Sequence, residues 1–479
     1  MPAHNFCGDC TLPWCTKENP SRVKENIMEI PTGLSIVRKP AFAYAILLCI
    51  LSVWNPVLPQ LEAQTESHWI GTWATGLQAQ IPAAAKTGQG PTSRPTELFG
   101  PVINVNDQTL RQLVRVTSGG SSFRIAFSNV FGSHPLKIGG AGVAIRDNED
   151  NIHSESAVTL TFNNSPTVNV EAGAVVLSDP FELPIPALTD LAIDLYLPSN
   201  TSTTRSPISG LRAAWTTNYI SDKGNHIGAD KFPVADTFNS WLFLARVETL
   251  APQETKVIVA LGDSITEGFA STTDTNNRWT DVLAERLVEN LGGNAPAVLN
   301  VAISGNRILR GNDGSYGVIG TPNATTLNVN AGFGPSALHR FDRDVLLQPG
   351  ITHLIILESI NDIGMAGDNS SPSVDELIAG HRSLIQRAHA RGLTVYGGTL
   401  TPFEGAMYFT EAGETKRQAL NEWIRNSGAY DAIIDFDAIL RDSNDPRRLL
   451  PMYHPGDWLH PNDAGYQAMG EAIDLTLFQ

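Results

Sequence analysis

The sequence predicts two architectures in one chain, an all-β sandwich or jelly roll followed by an α/β domain built on a parallel sheet. Three observations predict it. From about His68 to Val247, short stretches alternate apolar and polar residues with period two, the mark of half-buried strands. After Val257, apolar runs alternate with helical patterns, the mark of a sheet covered on both faces. The first of those runs breaks into Gly262-Asp263-Ser264-Ile265-Thr266-Glu267-Gly268, a strand feeding a tight turn at the sheet end where open α/β folds build their sites.

A chain of 479 residues is too long for one core. The expected division is a leader and signal peptide over 1–63, a β-sandwich accessory domain over 64–250 and a catalytic domain over 251–479. In the leader, Arg38-Lys39 precedes an apolar segment from Ala41 to Trp54, and small Ala63 offers a cleavage point. That pattern predicts export to a secreted or periplasmic location, with no stable membrane insertion after cleavage. An uncleaved anchor is the alternative, and Met28 is an alternative start. All four cysteines (Cys7, Cys10, Cys15, Cys49) lie before Ala63, so the mature chain is expected to hold together without disulfides. Their spacing does not complete a zinc site. The net charge of −16 argues against a nucleic-acid partner.

In the β region, Phe123, Ile125 and Phe127 alternate with Arg124, Ala126 and Ser128, and Leu191, Ile193, Leu195 and Leu197 with Ala192, Asp194 and Tyr196. Val158, Leu160 and Phe162 continue the pattern, and turn clusters such as Ser118-Gly119-Gly120-Ser121 separate the strands. One face of each strand is expected on a core and the other in water. Trp69, Trp73, Trp215, Tyr219 and Trp241 could form a sugar platform, although tryptophans in sandwiches are more often core. Thr249 to Lys256 reads as a linker. Beyond it, strands are expected at 257–261, 298–303, 351–357, 394–400 and 432–436, with helices near 277–291, 335–347, 373–391, 413–427 and 462–477. Five strands with these crossings fit a flavodoxin-like three-layer α/β/α sandwich.

Four clusters carry chemistry. Ser264 after Gly262-Asp263 is a nucleophile only if a base stands near it. Thr266 occupies the place where an α/β-hydrolase elbow needs a second glycine. Asn300-Val301-Ala302-Ile303-Ser304-Gly305-Asn306 and Leu357-Glu358-Ser359-Ile360-Asn361-Asp362 each end a strand in a polar turn. Asp457-Trp458-Leu459-His460 puts an acid three residues before a histidine, which lets the acid orient the imidazole toward a serine. Pro461 suits the first position of the following helix. Each cluster read alone is a turn or a helix cap.

The four together, in this order, resemble the GDSL or SGNH hydrolase family over about 220 residues, from Val257 to the C-terminus. The resemblance implies Ser264, Asp457 and His460 as catalytic residues, with an oxyanion hole from Ser264, Gly305 and Asn361. Asp263, Asn306 and Arg307 are candidates for substrate contact. Ser359 stands where the family usually has glycine. No cofactor and no metal are expected. The implied reaction is acyl transfer from a carboxylic ester to water through an acyl-enzyme, on a small-molecule or polysaccharide ester. Short acyl esters on carbohydrates are the first expectation and lipid esters the second. An inactive secreted carbohydrate-binding protein is the alternative of another class. The Gly- and Asn-rich stretch from Gly305 to Gly334, with Arg307, Arg310 and Tyr316, is expected to shape the pocket.

Overall fold

The computed structural model describes residues 67–80, 104–201, 203–204, 206–311, 333–365 and 371–479. The leader with its four cysteines, and Tyr316, lie outside them. Among the described residues no helix is long and apolar enough to cross a membrane.

The expected parallel sheet is present. Its five strands run in the order Ala297–Asn300, Val257–Gly262, His353–Leu357, Thr394–Gly398 and Ala432–Ile434, all parallel to their neighbours. In chain order this is 2-1-3-4-5, the flavodoxin-like arrangement. Val257–Gly262 and His353–Leu357 are buried along their whole length, which is why the sequence shows continuous apolar runs there. Helices Trp279–Leu291, Val374–His389, Glu411–Asn426 and Asp463–Glu471 cover the sheet. Local chemistry sets their ends. Ser373 and Glu376 form a reciprocal capping box, and the Thr410 side chain accepts from Gly413 N. The last helix starts later than expected, at Asp463, with Asn462 as its N-cap. Pro461 therefore precedes the helix instead of opening it.

The order of the strands reverses between Val257–Gly262 and His353–Leu357, because chain continuity goes left from the first and right from the third. The two strands stay paired to their carboxyl ends, at Gly262 and Leu357, and the chain leaves those ends in opposite directions, the place where open α/β sheets build their sites. Ser264 and Asn361 follow those two strands.

The first half is β-rich, with antiparallel sheets. One contains Ser67–Ala74, Leu244–Pro252, Gly120–Ser128 and Phe181–Ile185, with Val175–Leu177 also on Gly120–Ser128. A six-stranded sheet runs Val234–Phe238, Asn218–Lys223, Gln108–Val116, Thr189–Leu197, Gly140–Ile145 and Val158–Thr159. Phe123, Ile125 and Phe127 from the first sheet share one core with Leu191, Ile193 and Leu195 from the second. The reverse face of Thr189–Leu197 is not in water as expected. Ala192 packs with Leu113, Ala144, Ile152, Tyr219 and Phe232. Asp194 beside it is buried and takes two 2.8 Å bonds from Arg111. The linker is shorter than expected, since Leu244–Pro252 remains strand through Thr249 and pairs with Ser67–Ala74.

Ala63–Gln479 forms one compact unit, and its two halves share side chains. Ile70 and Ala74 lie in the core of the α/β half, and Ile303 lies in the core of the β-rich half. Gly71 N donates to Pro349 O at 3.0 Å. Thr117 Oγ1 donates to Val298 O and accepts from Val298 N, at 3.1 and 3.0 Å. The Ser67–Ala74 strand presses so closely on the parallel sheet that a Cβ at Gly71 would lie 2.7 Å from Leu299 Cδ1.

Candidate active site

Ser264 opens a one-turn helix, Ser264–Glu267, directly after the first parallel strand. The Asp263 side chain caps that helix by accepting from Ile265 N at 3.0 Å. Gly268 ends it at φ +98°, its N–H donating to Ser264 O. The left-handed turn and the closeness of the Arg278 side chain both call for glycine here. Ser264 is 6% exposed.

The C-terminal turn brings the base. His460 Nε2 lies 2.9 Å from Ser264 Oγ, and His460 Nδ1 lies 2.6 Å from Asp457 Oδ2. The other oxygen, Asp457 Oδ1, accepts from Leu459 N and His460 N at 3.0 and 3.1 Å. One carboxylate thus folds its own turn and orients the imidazole. Burial pushes the Asp457 carboxyl up, but its bonds from His460 and the backbone outweigh that and leave it below its ordinary value. The Phe269 ring lies 4.1 Å from the His460 ring at 33°, and Trp215 from the β-rich half meets Phe269 edge-on at 5.2 Å.

The donor side is assembled from the neighbouring strand ends. Asn361 lies in the short helix Ile360–Gly364 after His353–Leu357. Its Nδ2 donates to Asn306 O at 3.0 Å, and its Oδ1 accepts from Tyr408 OH at 3.4 Å. With the oxygen engaged by tyrosine, the amide presents its N–H side. Gly305 is buried at φ +75° with Phe333 against it, and a side chain there would strike the ring. Ser359, where the sequence resemblance led us to expect glycine, keeps a glycine-like backbone with φ +105°. For a residue with Cβ that region costs about 1–3 kcal/mol.

The structure brings together Ser264, His460 and Asp457, and sets Asn361 against Asn306. Two of the three candidates for substrate contact are engaged in bonds within the protein. Asp263 is buried, with its carboxylate used as a cap. Asn306 is buried too, its Nδ2 donating to Phe333 O and Pro335 O at 2.9 and 2.7 Å and its Oδ1 accepting from Arg340. Both carry hydrogen bonds of the frame around the site. Arg307 is half-buried, and among the described residues its Nε has no hydrogen-bond partner.

Three further residues escaped sequence reading. Glu267, buried at the end of the nucleophile turn, accepts from the Ser304 N–H and hydroxyl. It thereby ties the Gly305 turn to Ser264. Burial pushes its carboxyl up to about 7 against those bonds. Arg340 is fully buried and donates to Gly262 O at 3.0 Å and to Val301 O, joining two strand ends. Glu358 lies near it, Oε1 3.6 Å from Arg340 Nη2, and is fully buried. Burial and the neighbouring Asp263 hold Glu358 well above its ordinary range. Only Glu358 carried a signal, a charge directly after the apolar run Leu354–Leu357, and it does not say what the charge faces. Among the described residues no group of three or more His, Cys, Asp or Glu side chains is placed to hold a metal ion.

Residues 260–468 match the family of GDSL-like lipases/acylhydrolases. No curated protein matches the chain. Among solved structures the chain is similar to a GDSL-like lipase from Bacteroides thetaiotaomicron, at 19% identity over 47% of this chain and 88% of that one, with a TM-score of 0.33. It is similar to a member of the lipolytic protein G-D-S-L family from Veillonella parvula, at 16% identity over 47% and 98%, TM-score 0.33. It is also similar to a catalytic mutant of an acetylxylan esterase from Geobacillus stearothermophilus, at 18% identity over 46% and 91%, TM-score 0.33.

Proposed function

We propose, from the premise that residues 260–468 are a GDSL-like lipase/acylhydrolase domain and the chain a carboxylic ester hydrolase, that this protein is an exported serine esterase acting on short acyl esters of carbohydrates. The observation that carries the chemistry is the 2.9 Å contact between Ser264 Oγ and His460 Nε2, with Asp457 behind the imidazole. In the proposed reaction His460 takes the Ser264 proton as Oγ attacks the ester carbonyl. The Ser264 and Gly305 N–H groups and the Asn361 amide then hold the oxyanion. Collapse expels the alcohol with the proton from His460, and water repeats the sequence on the acyl-enzyme.

Support for a short acyl group comes from the aromatic rings on either side. Phe269 lies on His460 and Phe333 lies on Gly305, which leaves little width beside a nearly buried serine. Support for a sugar platform on the β-rich half is narrower than the sequence allowed. Trp73, Tyr219 and Trp241 are buried, and Trp69 is half-covered by Arg124. Trp215, half-buried beside Phe269, is the candidate that remains.

One observation favours the lipid reading: Met407, next to Tyr408 on the oxyanion side, is 98% exposed. Hydrolysis of p-nitrophenyl acetate and octanoate, with fluorophosphonate labelling of Ser264, separates these readings. Acetate turnover with labelling supports the short-acyl esterase, and octanoate preference moves the reading to lipid esters. Failure of both turnover and labelling leaves a binding protein.

A further inference from the structure

We propose that the buried chain Ser359–His381–Tyr430 is a positioning device that aims the oxyanion donor Asn361. The proposal rests on the ester-hydrolase reading above, in which Asn361 meets the developing charge.

Ser359 precedes the five-residue helix Ile360–Gly364 with φ +105° and ψ −12°, and its side chain does not cap that helix. Glycine adopts this backbone freely, whereas a residue with Cβ relaxes away from it unless its surroundings forbid that. A helix of one turn cannot supply the restraint, since it has few bonds of its own. The side chain of Ser359 supplies it from the opposite direction. Ser359 Oγ shares a 3.0 Å hydrogen bond with His381 Nε2, and His381 Nδ1 shares a 2.6 Å hydrogen bond with the Tyr430 hydroxyl.

All three residues are buried. His381 stands on the inner face of Val374–His389, and Tyr430 lies just before the last parallel strand. Trp423 packs on both rings, at centroid distances of 6.0 and 5.9 Å. The hydroxyl is therefore anchored to two elements that take no part in the triad, and the turn it fixes places Asn361 two residues on. Burial holds His381 down at about 3, so it stays neutral and the anchor does not switch with pH. None of the three is a catalytic residue; they act through Asn361.

The test compares Ser359→Ala with Ser359→Gly in the full chain. Both remove the hydroxyl and differ only in Cβ. With p-nitrophenyl acetate, Ser359→Ala is expected to lower kcat by about 10- to 100-fold at unchanged KM, the scale of a misplacement of about 1 Å near the chemistry. Ser359→Gly is expected to recover most of that loss, because glycine needs no anchor. His381→Phe is expected to lower kcat when Ser359 is present and to have little added effect in the double variant with Ser359→Gly. If His381→Phe does not fold, Tyr430→Phe asks the same question with the loss of one hydroxyl. Equal kcat in the Ala and Gly variants, or an equal effect of the His381 or Tyr430 change in both backgrounds, overturns the proposal. Crystal structures of the two Ser359 variants give a readout independent of turnover: an Asn361 amide unmoved in Ser359→Ala also overturns it. Absence of turnover in the unaltered protein instead overturns the ester-hydrolase reading.

Discussion

Ser264 and His460 are 196 positions apart in sequence, yet Oγ and Nε2 meet at 2.9 Å. The nucleophile opens the turn after the first parallel strand and the base lies on a turn outside the sheet, so the contact requires the whole α/β half to be closed. Ser264→Ala is expected to abolish measurable esterase turnover, leaving at most a residue of order 10³–10⁴ over water. Asp457→Asn should lower kcat by about 10⁴ through the wrong imidazole tautomer. Steady-state hydrolysis with a folded-state check by circular dichroism reads both. Wild-type turnover in Ser264→Ala would remove serine from the mechanism.

Asn361 offers a separable prediction. Its amide is oriented on one side by Tyr408 and on the other by Asn306 O. Asn361→Ala should cost about 10²–10³ in kcat with little change in KM, because the donor acts on charge that develops only in the transition state. A rise in KM at unchanged kcat would instead assign Asn361 to ground-state binding.

The buried acid at Glu358 predicts how stability moves with pH. Its folded carboxyl is held above the ordinary value of 4.5, first by burial. Above that value the unfolded chain releases the proton while the folded chain keeps it, so the group lowers stability progressively as pH rises. Glu358→Gln removes this slope. Its melting temperature relative to the unaltered protein is therefore expected to be higher at pH 8 than at pH 5. Thermal melts at the two pH values check it, and an offset independent of pH contradicts the assignment.

Arg278 fastens the two halves beside the site. It donates to Glu267 O at 3.0 Å, to Asp281 at 3.1 Å and to Ala214 O in the β-rich half. Arg278→Met leaves a half-buried carboxylate and two carbonyls without the guanidinium, and is expected to destabilise by about 1–3 kcal/mol. Urea unfolding reads the loss. A change within about 0.5 kcal/mol, the ordinary range for surface positions, would mean that the seam does not depend on this residue.

The parallel sheet was legible because its runs are apolar on both faces, which a surface strand is not, and are too short and too rich in β-branched residues for buried helices. Three of the four polar blocks were legible because each follows such a run, and the fourth, Asp457-Trp458-Leu459-His460, because of its three-residue spacing of acid and histidine. What the sequence concealed were the directions of side chains after the chain turns. Asp263 and Asn306 are polar residues beside a nucleophile, and nothing local distinguishes a cap or a frame bond from a substrate contact. Asp194 reads as the wet face of a strand, and only the distant Arg111 shows that it is covered. The helix after His460 starts two residues late because Asn462 caps better than Pro461 opens.

The left-handed backbone at Ser359 also sets an order on how this site can change by descent. A mutation of Ser359 to glycine keeps the turn and strands one buried imidazole nitrogen, which a later apolar replacement of His381 removes. The reverse order leaves a serine at φ +105° with its hydroxyl unanchored. One sequence of steps is thus open to inheritance and the other is obstructed at its first. A lineage carrying glycine at this position is one in which position 381 no longer needs an imidazole, whereas in this chain the histidine is held for as long as the serine stands.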